Sequence, residues 1–171
     1  RGGAYHPEIE VLENTLAAFE HAVDLGYRYL ETDVHLTADG VVVAFHDDVL
    51  DRVTDRSGRI ADLSWDEVSA ARIADTEPIP TLLDLIEAFP DACINIDPKD
   101  DAVVPALARI LRQADVLDRV CLGAFSDRRL ERLRGLLGPG LCTSAGPRSI
   151  AVFRVASLGL PMRQPPWHCM Q

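Results

Sequence analysis

Residues 27–36 read Tyr27-Arg28-Tyr29-Leu30-Glu31-Thr32-Asp33-Val34-His35-Leu36, and the alternation in this stretch decides the fold. Side chains along a strand point in turn to its two faces. Leu30 and Val34 therefore share one face and pack outward, while Glu31 and Asp33 share the other, with His35 on the same side by parity. Two carboxylates held this close repel each other unless a cation lies between them. Their oxygens match a hard divalent ion, Ca²⁺ or Mg²⁺, bound at ~2.0–2.6 Å.

Outward from this strand, the chain alternates helix and strand. Upstream, Leu16, Phe19, Ala22 and Val23 recur at helical spacing and predict a helix over residues 15–25, capped by Asn14 or Thr15 and ended by Gly26. Downstream, Asp39-Gly40 is a turn, and Val41-Val42-Val43-Ala44-Phe45 is a strand with apolar residues on both faces, as in a parallel sheet covered by helices. Residues 47–80 break the rhythm with Asp, Arg and Ser, a Ser57-Gly58 turn and a short helix near 64–72; they read as a functional excursion inserted after the third barrel strand. The alternation then resumes. Pro80-Thr81 opens a helix, strands follow at 92–96, 120–125 and 140–144, and helices at 102–113, 127–137 and 147–158.

Strand–helix repeats without a glycine-rich dinucleotide fingerprint predict an α/β fold of the (β/α)8, TIM-barrel type. A complete barrel takes ~250 residues. This chain has 171, with five strands in view and a sixth if one precedes residue 1. The expectation is one domain, 1–158, an incomplete barrel cut at both ends, followed by an unmatched Pro-rich tail, 159–171.

Composition narrows the function. With 47% hydrophobic and 26% charged residues the chain has material for a core. The net charge of −10 has the wrong sign for a grip on nucleic-acid phosphates. No apolar run is long enough to span a membrane and no leader peptide is visible, which makes the cytoplasm the expected compartment. The four cysteines, Cys93, Cys121, Cys142 and Cys169, have no CxxC spacing, so a zinc site or redox pair is not expected; the first three read as small core residues. Lys and Arg total 17, yet Lys99 is the only lysine.

Three short sites lie at C-terminal ends of predicted strands, the end at which barrel enzymes build active sites. Glu31-Thr32-Asp33 is the first. His46-Asp47 is the second, a histidine beside acidic residues that can exchange protons near neutral pH. In the third, Asn95, Asp97 and Lys99 alternate with Ile96 and Pro98, so the polar set shares one face. Three carboxylates, a histidine and a lysine at one barrel mouth suit metal-assisted attack on an anionic ester.

The ordered set Arg1-Gly2-Gly3, residues 13–19 (Glu-Asn-Thr-Leu-Ala-Ala-Phe), Glu31-Thr32-Asp33-Val34, Asp39-Gly40, His46-Asp47, Leu50, Arg52, Thr54, Gly58, Pro80-Thr81-Leu82, Asp97 and Lys99 resembles the bacterial-type glycerophosphodiester phosphodiesterase family. The likeness runs from residue 1 to about 125 and loosens toward 158. It implies a (β/α) barrel with a small subdomain inserted after His46-Asp47. It also implies hydrolysis of glycerophosphodiesters to glycerol 3-phosphate and an alcohol, with one divalent cation, Ca²⁺ or Mg²⁺. The resemblance maps the metal carboxylates onto Glu31, Asp33 and Asp97, where the family more often has Glu at the last position. It maps a catalytic general acid onto His46 and phosphate contacts onto Arg1 and Lys99. The family's first catalytic His would directly precede Arg1. His6, His21 and His168 are not motif residues, and His35 is a bystander near the site. Two other readings stand beside this one: a phospholipase D-like barrel enzyme, against which the insertion argues, and a non-catalytic fragment. The expected partner is a small-molecule substrate.

Overall fold

Thr15 sets the start of the first helix: its side chain accepts the Ala18 N–H at 3.2 Å, satisfying a backbone donor that has no partner within the helix. The computed structural model describes residues 10–157 and 167–169; Arg1, His6 and most of the tail lie outside the described residues. In chain order the elements are helix α1 (Leu16–Asp24), strands β1 (Tyr29–Leu36) and β2 (Val42–Ala44), helix α2 (Trp65–Ser69), strands β3 (Arg72–Ile73) and β4 (Glu77–Pro78), helix α3 (Leu82–Ala88), strand β5 (Cys93–Pro98), helix α4 (Val103–Gln113), strand β6 (Val120–Leu122), helix α5 (Asp127–Leu137), strand β7 (Cys142–Thr143) and helix α6 (Pro147–Ala156). Gly26, at φ +90°, makes the left-handed turn that ends α1 and leads into β1.

The main sheet runs β2-β1-β5-β6-β7. β1, β5, β6 and β7 are parallel, joined through helices as in a (β/α) barrel. Among the described residues the sheet is an open arc and does not close.

The outward face of this arc is apolar. Leu30, Val34, Ile94, Ile96, Val120 and Leu122 pack against Phe19 of α1, Leu82 and Leu85 of α3, Leu107 and Leu111 of α4 and Leu133 of α5 in one buried cluster. Thr81 and Ser64 open α3 and α2 with reciprocal capping boxes to Asp84 and Glu67.

β2 corrects the expectation of a third parallel strand. It runs antiparallel to β1, with Val34 opposite Ala44 and Leu36 opposite Val42. The connection from Thr37 to Val41 is far shorter than the roughly one dozen residues a parallel crossover needs. Both faces of β2 are still apolar for a separate reason. Val42 belongs to the main core, whereas Val43 and Phe45 enter a second one with Leu50, Ile60, Val68, Ile73 and Ile79. Residues 47–80 thus have a small core of their own. The helix expected over 64–72 stops at Ser69, because Arg72 and Ile73 pair with Glu77 and Pro78 as a two-stranded hairpin.

The tail is expected to leave the pattern, and the structure describes residues 167–169 of it. Cys169 bridges Ser144 in parallel, its carbonyl accepts the Ala145 N–H at 2.8 Å, and the His168 N–H donates to Thr143 O at 2.8 Å. Trp167 packs edge-on against Phe153 of α6 at 5.8 Å. These residues lie against the edge of the sheet at β7.

Ile96 is 0% exposed at the centre of the main core. Ile96→Ala is expected to cost about 2–5 kcal/mol, read as a lowered urea midpoint at constant slope. Leu83→Ala, on the exposed side of α3 at 43%, is expected to stay within about 0.5 kcal/mol of the parent.

Candidate active site

Parallel pairing puts Glu31 beside Asn95 and Asp33 beside Asp97. Strand parity turns all four to the face opposite the apolar core. Asp33 is buried, while Glu31, Asn95 and Asp97 are partly buried. Lys99 follows β5, its backbone N–H held by Val34 O at 3.1 Å. Its ammonium donates to Asp33 Oδ1 at 2.6 Å and to Asp97 Oδ2 at 3.0 Å. The single lysine therefore joins the two expected aspartates.

Burial works against the Lys99 charge, but the hydrogen bonds and negative charge of Asp33 and Asp97 outweigh it and hold its pKa above the ordinary lysine value. Burial also pushes the Asp97 carboxyl up, against the pull of Lys99. The two directions oppose each other across one ion pair. The Lys99 ammonium prevails, since it faces two carboxylates at hydrogen-bonding distance.

His46 lies just past β2. The preceding Phe45 donates its N–H to Asp33 O at 3.0 Å, which docks this segment on β1. His35 reaches the same place from β1, with Nε2 3.1 Å from His46 O. A carbonyl only accepts, so His35 carries its proton on Nε2. His35 is buried, which lowers its pKa against the effect of that bond. It is thus a support of the His46 backbone rather than a bystander.

The His46 ring is held by Asp47, with Nδ1 2.5 Å from Oδ1. An ionised carboxylate only accepts, so Nδ1–H donates to Asp47 and the proton-accepting site of the neutral ring is Nε2. Arg52 donates to Asp47 through Nε and Nη2, and to Glu13 Oε1. The Arg52 hydrogen bond holds the Asp47 carboxyl below the usual carboxylate range, outweighing burial. Glu13 is buried beside Asn14, which adopts a left-handed φ of 62° and accepts the Thr32 hydroxyl at 3.0 Å. That bond anchors the Glu13 segment under β1. The Glu13–Arg52–Asp47–His46 chain bridges α1's entry, the 47–80 segment and the end of β2. Sequence reading placed Glu13 and Arg52 in motifs but found no role for them, since no local spacing links positions so far apart.

The donor set fits a hard cation in chemistry. Asp33 Oδ2 and Asn95 Oδ1 are buried acceptors without a hydrogen-bond partner among the described residues. Two such oxygens on neighbouring strands are what a divalent cation would satisfy. Among the described residues no three His, Cys, Asp or Glu side chains already form a metal cage. Arg1, the expected phosphate contact, lies outside the described residues.

The cysteines differ from the sequence reading. Each is a free thiol and only partly buried, and parity turns Cys93, Cys121 and Cys142 to the inner face. Cys121 pairs in register with Asn95 on one side and Cys142 on the other.

The sequence profile of the Glycerophosphoryl diester phosphodiesterase family matches residues 1–130. The chain is 37% identical over 143 residues to "Probable glycerophosphodiester phosphodiesterase 2" of Mycobacterium tuberculosis, covering 84% of this chain and 54% of that protein. It is 44% identical over 112 residues to human "Lysophospholipase D GDPD1", covering 58% of this chain and 34% of the relative. It therefore spans about half the length of the first of these relatives and a third of the second. The Oleispira antarctica phosphodiesterase solved in complex with the product sn-glycerol-3-phosphate superposes with a TM-score of 0.72 at 30% identity, over 85% of this chain and 66% of that one. On the profile match and these relatives, the chain belongs to the glycerophosphoryl diester phosphodiesterase family.

Proposed function

We propose that the protein hydrolyses glycerophosphodiesters to glycerol 3-phosphate and an alcohol, residues 1–158 forming its catalytic domain with residues 47–80 as an insertion. The observation that carries this reading is the inner-face cluster of Asp33, Asp97 and Lys99, with two buried acceptor oxygens left over among the described residues. Glu31, Asp33 and Asp97 would hold one divalent cation, Ca²⁺ or Mg²⁺, with Asn95 beside them. When bound, the cation supplies positive charge against the developing charge of a phosphoryl oxygen.

The chain's own residues do the rest. Lys99 uses two of its three donors on Asp33 and Asp97, and the third is available to a phosphate oxygen. Arg1 is assigned a second phosphate contact on the family resemblance. His46 is the general acid. With Nδ1–H fixed on Asp47, its Nε2 delivers the proton that the departing alkoxide needs. Asp47 fixes the ring, Arg52 fixes Asp47, and Glu13 fixes Arg52.

A second reading follows from the human relative's name. A lysophospholipid offers the same phosphodiester bond with an acyl chain on the glycerol. Phe125, 91% exposed just past the C-terminal end of β6, presents apolar surface at the same end of the sheet as Asp97 and Lys99.

Glycerol 3-phosphate release from glycerophosphocholine tests the proposal. It is measured with this chain and with a version extended by a His before Arg1 and by further (β/α) units. Release with Mg²⁺ or Ca²⁺, abolished by EDTA and lowered about 10²–10⁴-fold by His46→Ala, is the expected result. No release by either form from any glycerophosphodiester overturns it; release of choline from lysophosphatidylcholine alone selects the second reading.

Arg52→Ala is expected to raise the Asp47 pKa toward its ordinary value, followed by carboxyl carbon NMR. The folded Asp47 pKa lies below the unfolded one, so its contribution to stability is present above the ordinary carboxylate range (~3.9) and is lost as pH falls through the lowered value. The variant should lose that part of the acid-side pH dependence.

A further inference from the structure

Cys121, Cys142 and Cys169 are separated in sequence and meet on the inner face of the sheet. Cys121 and Cys142 are register partners on β6 and β7. The Cys121 and Cys169 sulfurs are 3.5 Å apart, already in hydrogen-bond contact. Cys169 is not carried there by its side chain alone: its backbone bridges Ser144 and accepts from Ala145, and His168 donates to Thr143. Burial, with both neighbouring thiols, pushes the Cys121 thiol pKa well up. Among the described residues no three Cys, His, Asp or Glu side chains form a metal cage.

We propose that Cys121 and Cys169 form an oxidisable thiol pair that closes to a disulfide by exchange with a small-molecule disulfide such as oxidised glutathione, tying residues 167–169 to β6. Closure brings the sulfurs from 3.5 Å to a bond of about 2.05 Å. The Cys169 thiolate attacks one sulfur of the oxidant, forming a mixed disulfide and releasing one glutathione thiolate. The Cys121 sulfur then attacks the Cys169 sulfur. The second glutathione leaves as thiolate and takes up the Cys121 proton. Two protein thiols lose two electrons in total, and one glutathione disulfide becomes two thiols. Because Cys121 holds its proton tightly, the second step quickens as pH rises. Cys142 is the bystander thiol of the cluster, and Cys93, on β5, is outside it.

The test is to treat the full chain with oxidised glutathione, alkylate the remaining thiols and map tryptic peptides by mass. The expected result is loss of two alkylatable thiols and a joined species of peptides 120–128 and 164–171. That species should persist in Cys93→Ser and Cys142→Ser and vanish in Cys121→Ser and in Cys169→Ser. Glutathione adducts without the joined peptide would overturn the proposal. So would pairing of Cys121 with Cys142, or involvement of Cys93 as often as Cys121. Cys169→Ser, at the sheet edge, keeps the test open if a strand substitution at Cys121 prevents folding.

Discussion

The parallel register of β1 on β5, with Glu31 beside Asn95 and Asp33 beside Asp97, is the constraint on which the polar face depends. Strand side chains alternate with period two, so a slip of one residue would send every carboxylate into the core and every Leu, Ile and Val into the opening. The outer face prevents that slip. Leu30, Val34, Ile94 and Ile96 are buried under α1, α3 and α4 only in this register. The hydrophobic effect thus positions groups that it does not itself favour.

The same register creates an electrostatic demand that Lys99 meets. Two aspartates on adjacent strands, one of them buried, are unfavourable neighbours without positive charge between them. The ammonium of Lys99 bonds both, yet leaves Asp33 Oδ2 and Asn95 Oδ1 without partners among the described residues. His46 is held on the same strand by backbone rather than by charge, through Phe45 on Asp33 and His35 on the His46 carbonyl. Its ring is then aimed by Asp47 and, behind it, Arg52 and Glu13. The sheet bears the charged groups, and the 47–80 segment, packed on a small core of its own, bears the brace.

Much of this was legible in the residue pattern. Periodicity located nearly every helix and strand, and the bounds of α5 agree to the residue, because Ser126 and Gly138 mark its two ends. Parity put Glu31 with Asp33 and Asn95 with Asp97 and Lys99. The direction of β2 was not legible from its apolar run, because burial on both faces is equally well produced by a parallel strand under helices and by an antiparallel one between two cores. The β3–β4 hairpin was too short to show a period. The cysteine cluster was missed because spacing rules see neighbours in sequence, whereas Cys121, Cys142 and Cys169 become neighbours through lateral pairing of strands.

The amino-acid sequence by itself determined which segments form strands and helices, which face of each is apolar, and which carboxylates, histidine and lysine end up on strand termini. These are properties of local periodicity and residue chemistry, set within a few residues. Only the tertiary structure decided that one ammonium serves both aspartates, that Arg52 and Glu13 brace His46, and that three thiols share one corner. Those pairings depend on which strands lie side by side, and that is settled by the burial of the whole apolar face at once rather than by any one stretch of the chain.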